Sequence, residues 1–173
     1  NLGIFGHVDG GSIVNLHAEY TGIATSTYYA YYGGIVAFAD TSLVSNCSVI
    51  GFNVNVTATK GSSYCGGIVG EASFAEIKNC YVEQCEFSSS GPIYVGSICG
   101  NIFEGTVENC NTVDNTILLP NTTLYSCELG GIVGRAASSI ISNCYSNTKI
   151  SSSAYSAAEA WGLREYVGGI AGH

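Results

Sequence analysis

β-Branched residues return along this chain at offsets that do not drift, and the polar residues between them mark where the backbone must turn. One column is Ile4, Ile35, Ile68, Ile98, Ile132 and Ile170, and nine residues further on stands Ile13, Val44, Ile77, Val107 or Ile141. Two residues later comes asparagine, at Asn15, Asn46, Asn79, Asn109 and Asn143. Four of these five are followed by cysteine, namely Cys47, Cys80, Cys110 and Cys144. Ahead of the isoleucine column a glycine pair recurs, as in Gly66-Gly-Ile-Val-Gly70 and Gly130-Gly-Ile-Val-Gly134. The whole repeat varies between about 30 and 38 residues while this arm stays constant. A constant arm must stack in register and a variable arm must loop out, which is the mark of a solenoid.

The columns assign faces. Between the β-branched column and the asparagine lies Val14, Ser45, Lys78, Glu108 or Ser142, mostly polar and so directed to water. Strict strand alternation would send the following cysteines to that same wet side. Both the β-branched residue and the cysteine point inward only if the phase flips at the asparagine. An asparagine in the left-handed region does this, since its short side chain tolerates that conformation. Asparagines stacked at successive corners are also expected to hydrogen-bond their side-chain amides up the column. The glycine pair marks a second corner, where a Cβ would clash.

Each repeat therefore reads as two short strands followed by a third segment that varies. Helical periodicity is missing apart from a stretch at Ala157 to Trp161. The expectation is an all-β fold, a parallel β-solenoid (β-helix) of about five coils forming a single domain over 1–173. Its repeats run at about 1–31, 32–64, 65–94, 95–128 and 129–166, with a partial copy at 167–173. Inserts fall between the asparagine corner and the next glycine pair, at Thr21 to Ala30, Leu118 to Ser126 and Ser151 to Tyr166. Pro92 and Pro120 sit in that variable arm, where no ladder bond is lost. Neither end reads as a cap, so the array is expected to continue, in the same chain or through other copies.

Composition narrows the chemistry. Five Lys and Arg against a net charge of −8 exclude a nucleic-acid surface, because they cannot neutralise a run of phosphates. No run of 18 apolar residues is present for membrane insertion. Eight cysteines and three histidines show no CxxC pair and no ligand spacing, so neither metal nor cofactor is expected. Stacked at about 4.8 Å, Cys47, Cys80, Cys110 and Cys144 are compatible with two states. They are buried thiols acting as small hydrophobes, or disulfides between coils; the first is favoured because side-by-side parallel geometry suits a disulfide poorly. Cys65, Cys85, Cys99 and Cys127 fall at four different repeat positions and are expected to pack singly. Asp9 and Asp40 form a weak carboxylate pair on neighbouring coils with no basic column beside them, so an enzyme is not expected. Threonines scatter through the inserts, which argues against an ice-binding face.

Two sets of residues remain as candidate contacts. Three residues before the second glycine position stand Tyr31, Tyr64, Tyr94 and Tyr166, with Glu128 in the remaining copy. They form either a platform for sugar rings or, as the favoured reading, a self-stacked ladder. Tyr28 and Tyr29, in an insert, are the better candidates for exposed contacts. Of the three glycosylation sequons, Asn46 is expected to be inaccessible at its corner, leaving Asn121 and then Asn55.

Gly-Gly-Ile-Val-Gly followed by Ile77-Lys-Asn-Cys-Tyr81 or Ile141-Ser-Asn-Cys-Tyr145 resembles the GLUG-motif repeats of microbial cell-surface proteins. The resemblance covers nearly the whole chain, with departures at Leu2-Gly3, Asn15-Leu16 and Gly96-Ser97. It implies an adhesin-like, extracellular or cell-surface structural protein, with no catalytic residues to carry over. The expected role is a rigid stalk or presentation scaffold. The alternative is a segment of a self-assembling extracellular filament built by end-to-end stacking, and a carbohydrate-binding or carbohydrate-active β-helix ranks third. The expected partners are the chain itself or adjacent repeats, together with surface glycans.

Overall fold

The computed structural model describes residues 1–57, 61–119, 127–152 and 165–173, and among them the backbone winds as a parallel β-solenoid without helix. The third coil gives the pattern. Ser63–Gly66, Val69–Ser73, Glu76–Lys78, Tyr81–Glu83 and Glu86–Ser89 follow one another round the turn. Each lies in parallel register on its repeat equivalents, with Tyr64 between Tyr31 and Tyr94 and Ile77 between Val44 and Val107. Three of the sheets are five strands deep. The fourth holds eight strands, because two short strands fuse into Asn111–Leu119 and Tyr145–Ser152 in the last two coils. The variable arm is therefore more regular than the sequence suggests. Ser48–Ile50 and Asn53–Val56 are strands, separated by Gly51 at φ 70°, and that corner breaks the alternation that would have revealed them.

Corners set the shape of the coil. Asn15, Asn46, Asn79, Asn109 and Asn143 all occupy the left-handed region, with φ of 59, 53, 52, 54 and 52°. The flip follows directly: Val44 and Cys47 are buried while Asn46 between them is exposed. The ladder at this corner runs through the main chain, not the side chains. Asn46 N–H donates to Lys78 O at 3.0 Å, and Asn79 N–H to Glu108 O at 3.0 Å. No amide-to-amide bond links the corner asparagines, so the expected side-chain ladder is replaced by a backbone one. The side chains face water, which meets their hydrogen bonds at no packing cost.

A second left-handed column, Gly10, Thr41, Phe74, Glu104 and Ser138, turns the chain between the second and third sheets. Its residues share no chemistry, and Thr41 and Phe74 are costly choices at positive φ. The repeated signal lies one residue later, where Gly11, Ser42, Ala75, Gly105 and Ser139 are all small. A Cβ on Gly105 would sit 2.5 Å from Ala75 O, so nothing larger fits that step without movement.

Inside, Ile35, Ile68, Ile98 and Ile132 are fully buried, whereas Ile4 and Ile170 in the outermost coils are 50% and 40% exposed. The glycine pair permits the tightest approach. A Cβ on Gly66 would collide with the Val69 carbonyl oxygen, and one on Gly67 with Ser97 O and the Val82 methyls. Where the pair becomes Gly96-Ser97, the core changes to match. Thr112 replaces the valine of Val49 and Val82, and Thr148 joins Ser97 at 2.9 Å and Thr112 at 3.0 Å. Every hydroxyl of this buried cluster thus has a partner, as burial requires.

Two substitutions test the corners by chemical or thermal unfolding. Asn79→Ala is expected to lower stability by about 1–2 kcal/mol, the cost of left-handed backbone for a residue with Cβ, while Asn79→Gly costs only about 0.5 kcal/mol. Equal losses in the two variants would refute the conformational account. Gly66→Ala, which drives a methyl into backbone, is expected to cost about 3 kcal/mol or more.

Candidate functional site

Position after the asparagine corner is fixed by backbone bonds through successive coils: Ser48 N to Leu16 O, Tyr81 N to Cys47 O, Asn111 N to Cys80 O, Tyr145 N to Cys110 O. Leu16, Cys47, Cys80, Cys110 and Cys144 therefore form one column. Each sulfur lies within hydrogen-bond reach of the carbonyl two residues back, at 3.3 Å for Cys47, Cys80 and Cys110 and 3.2 Å for Cys144. Each also lies 3.7–3.8 Å from a carbonyl of the preceding coil. No disulfide joins any of the eight cysteines. Leu16 closes one end of the column with hydrocarbon, and Cys144, half-buried, forms the other.

The stacked thiols interact along the column. Hydrogen bonds from Cys144 and then Cys80 lower the pKa of Cys110, and a hydrogen bond from Cys80 lowers that of Cys47. The same contacts, to Cys110 and Cys47, followed by burial, raise Cys80. Cys65 and Cys99, by contrast, are raised by burial in an apolar setting, and Cys85 is pushed up to about 11 for the same reason. Their register neighbours are not cysteines: Cys65 pairs with Tyr32 and Val95, Cys99 with Val69 and Val133, Cys127 with Ile93. Among the described residues no group of three or more His, Cys, Asp or Glu side chains is arranged to share a metal ion.

On the outside of the glycine corner two columns face each other. Beside the tyrosine column runs a second, of His7, Phe38, Glu71, Asn101 and Arg135 in register, with His173 at its end. Tyr31 meets Phe38 at 5.6 Å between centroids, His7 stacks on Phe38 at 4.9 Å and Tyr166 on His173 at 4.5 Å. Along the column Tyr31–Tyr64 is 5.4 Å and tilted, and Tyr64–Tyr94 is 5.1 Å and edge-on. The rings pack on one another and do not form a flat platform. Arg135 lies over the Tyr94 ring at 5.8 Å and 3.7 Å from Glu128, which is almost fully buried between Arg135 and His173. Burial, then the Glu71 charge and the neighbouring tyrosines, push Tyr64 up to about 12; burial and Glu71 raise Tyr31.

The remaining candidates are scattered. Asp9 and Asp40 are register partners, as their repeat positions imply. Tyr28 and Tyr29 are well exposed, at 78% and 65%. Asn55 is half-exposed within Asn53–Val56, and Asn121 lies outside the described residues, as does the stretch at 157–161. Asn46 is exposed, contrary to expectation, because the corner directs its side chain outward.

A family model described as the GLUG motif matches residues 125–151, which span Gly130-Gly-Ile-Val-Gly134 and Asn143-Cys-Tyr145. Neither curated proteins nor solved structures gave a match.

The tyrosine ladder has a consequence at high pH. Tyr64 is raised above its ordinary value of 10.0, so the neutral form is the one the fold favours. Its contribution is complete below about pH 10 and is lost as pH rises from 10 through about 12. Tyr64→Phe is expected to reduce the alkaline loss of stability over that window, measured as melting temperature against pH. An unchanged alkaline limb would refute the assignment.

Proposed function

The GLUG motif matched at residues 125–151 shares its columns with the other repeats of the chain, and from that premise we propose that the chain acts as a rigid spacer or presentation module of an extracellular or cell-surface protein. The supporting observation is the unbroken parallel register of Phe5, Val36, Val69, Cys99 and Val133 from the first coil to the fifth. A solenoid transmits rigidity because each coil is bonded to its neighbours by the full backbone ladder, and every added repeat lengthens the rod by about 4.8 Å. Length is thus set by repeat number, which suits a stalk. The role requires no catalytic group. The exposed Tyr28 and Tyr29 are the natural contacts for an adhesive function toward surface glycans.

A second reading is end-to-end assembly. The outer coils expose Ile4, Phe5 and Ile23 on one side and Ile140, Tyr145, Val167 and Ile170 on the other. Unpaired strand edges beside apolar side chains favour stacking of another coil.

Protease treatment of intact source cells, followed with an antibody to this chain, tests the location. Cleavage without lysis is expected; protection until lysis would overturn the surface assignment. Sedimentation of the purified chain over a range of concentrations separates the two readings, since a stalk stays monomeric and a filament subunit grows.

A further inference from the structure

Among the described residues the thiol column is the place where side chains of ligating chemistry repeat without interruption. Four cysteines at one repeat position are stacked by the backbone ladder, in a core otherwise made of Val44, Ile77, Val107 and their neighbours. Consecutive thiols lie one strand spacing apart, about 4.8 Å. Convergent three- or four-ligand geometry is missing among the described residues, and zinc, which requires it, does not fit the column. A linear two-coordinate ion needs only two sulfurs on opposite sides, separated by close to that spacing.

We propose that the Cys47–Cys80–Cys110–Cys144 column is a binding site for a soft d10 cation, held as a linear bis-thiolate between adjacent coils, with copper(I) as the cation it fits. Thiolate sulfur is the ligand that selects copper(I) over harder ions. On binding, two thiols each lose a proton to solvent and two sulfur–copper bonds form. The product is RS–Cu–SR with one negative charge, two protons are released, and no change of oxidation state occurs. A buried charge must be met by donors. For the first ion, the neighbouring thiol of the column still carries its proton beside a bound sulfur and supplies one. Entry is from the half-buried Cys144 end, since Leu16 closes the opposite end.

Four thiols taken in adjacent pairs hold at most two ions. The test is anaerobic titration of the reduced chain with copper(I) delivered as its acetonitrile complex, in competition with a copper(I) chelator. Native mass spectrometry gives the stoichiometry and X-ray absorption gives the sulfur coordination number. Saturation at two ions per chain, with two-sulfur coordination and a raised melting temperature, is expected. Cys110→Ser interrupts the column and leaves one adjacent pair, Cys47–Cys80, so the ratio should fall to one. Cys65→Ser, outside the column, should leave it unchanged. No binding, a ratio other than two, three-sulfur coordination, an equal effect of the two variants, or a lowered melting temperature would overturn the proposal. The last result would mean that copper binds unfolded thiols. The wild-type coordination number decides the matter even if Cys110→Ser fails to fold.

Discussion

Everything in this molecule depends on one constraint: each coil must meet the next in parallel register, with its backbone N–H and C=O groups paired across a single strand spacing. That constraint makes every repeat position into a column, so a residue is judged by its neighbours above and below as much as by its own coil. It explains why a corner that costs strain is tolerated. Thr41, Phe74 and Glu104 hold positive φ because the coils on either side hold the same turn and donate into it, as Thr41 N–H does to Ser73 O and Phe74 N–H to Phe103 O. A strained residue persists where its surroundings over-determine it.

Columns also convert local chemistry into collective chemistry. A single tyrosine beside a glycine corner would be a half-exposed ring; in a stack it is a ladder with Glu71, Arg135 and Glu128 threaded into it. A single buried cysteine is an inert small hydrophobe, and Cys65 and Cys99 behave as such. Repeated in register, the same residue becomes a row of thiols that exchange hydrogen bonds. Cys47, Cys80 and Cys110 are as fully buried as Cys65 and Cys99, and what sets them apart is that their register neighbours include other thiols.

Much of this was legible in the sequence, for a physical reason. The β-branched, asparagine and glycine columns keep constant spacing because insertion there would break the ladder, so the solenoid and the asparagine corner could be read directly. The second corner could not. Backbone conformation at Gly10, Thr41, Phe74, Glu104 and Ser138 is imposed by stacking, not by residue type, and the informative position is the small residue that follows. The variable arm reads as loop in the sequence because the corners at Gly51, Gln84 and Asp114 interrupt its alternation. Exposure of Asn46 is not legible for a related reason: a side-chain ladder and a main-chain ladder leave the same mark in the sequence.

The departures from the repeat show how tightly the columns are coupled. Ser97 stands where other copies have the second glycine, and a hydroxyl placed against a valine would be buried without a partner. In that coil and the next the valine column has become Thr112 and Ser146, and Thr148 completes the set, with Ser146 and Thr148 at 3.1 Å. A change in one strand is answered in another strand some fifteen residues later and again one coil on. The unit on which such a chain is built is therefore the column and its facing column, since the single repeat leaves half of each contact unmade.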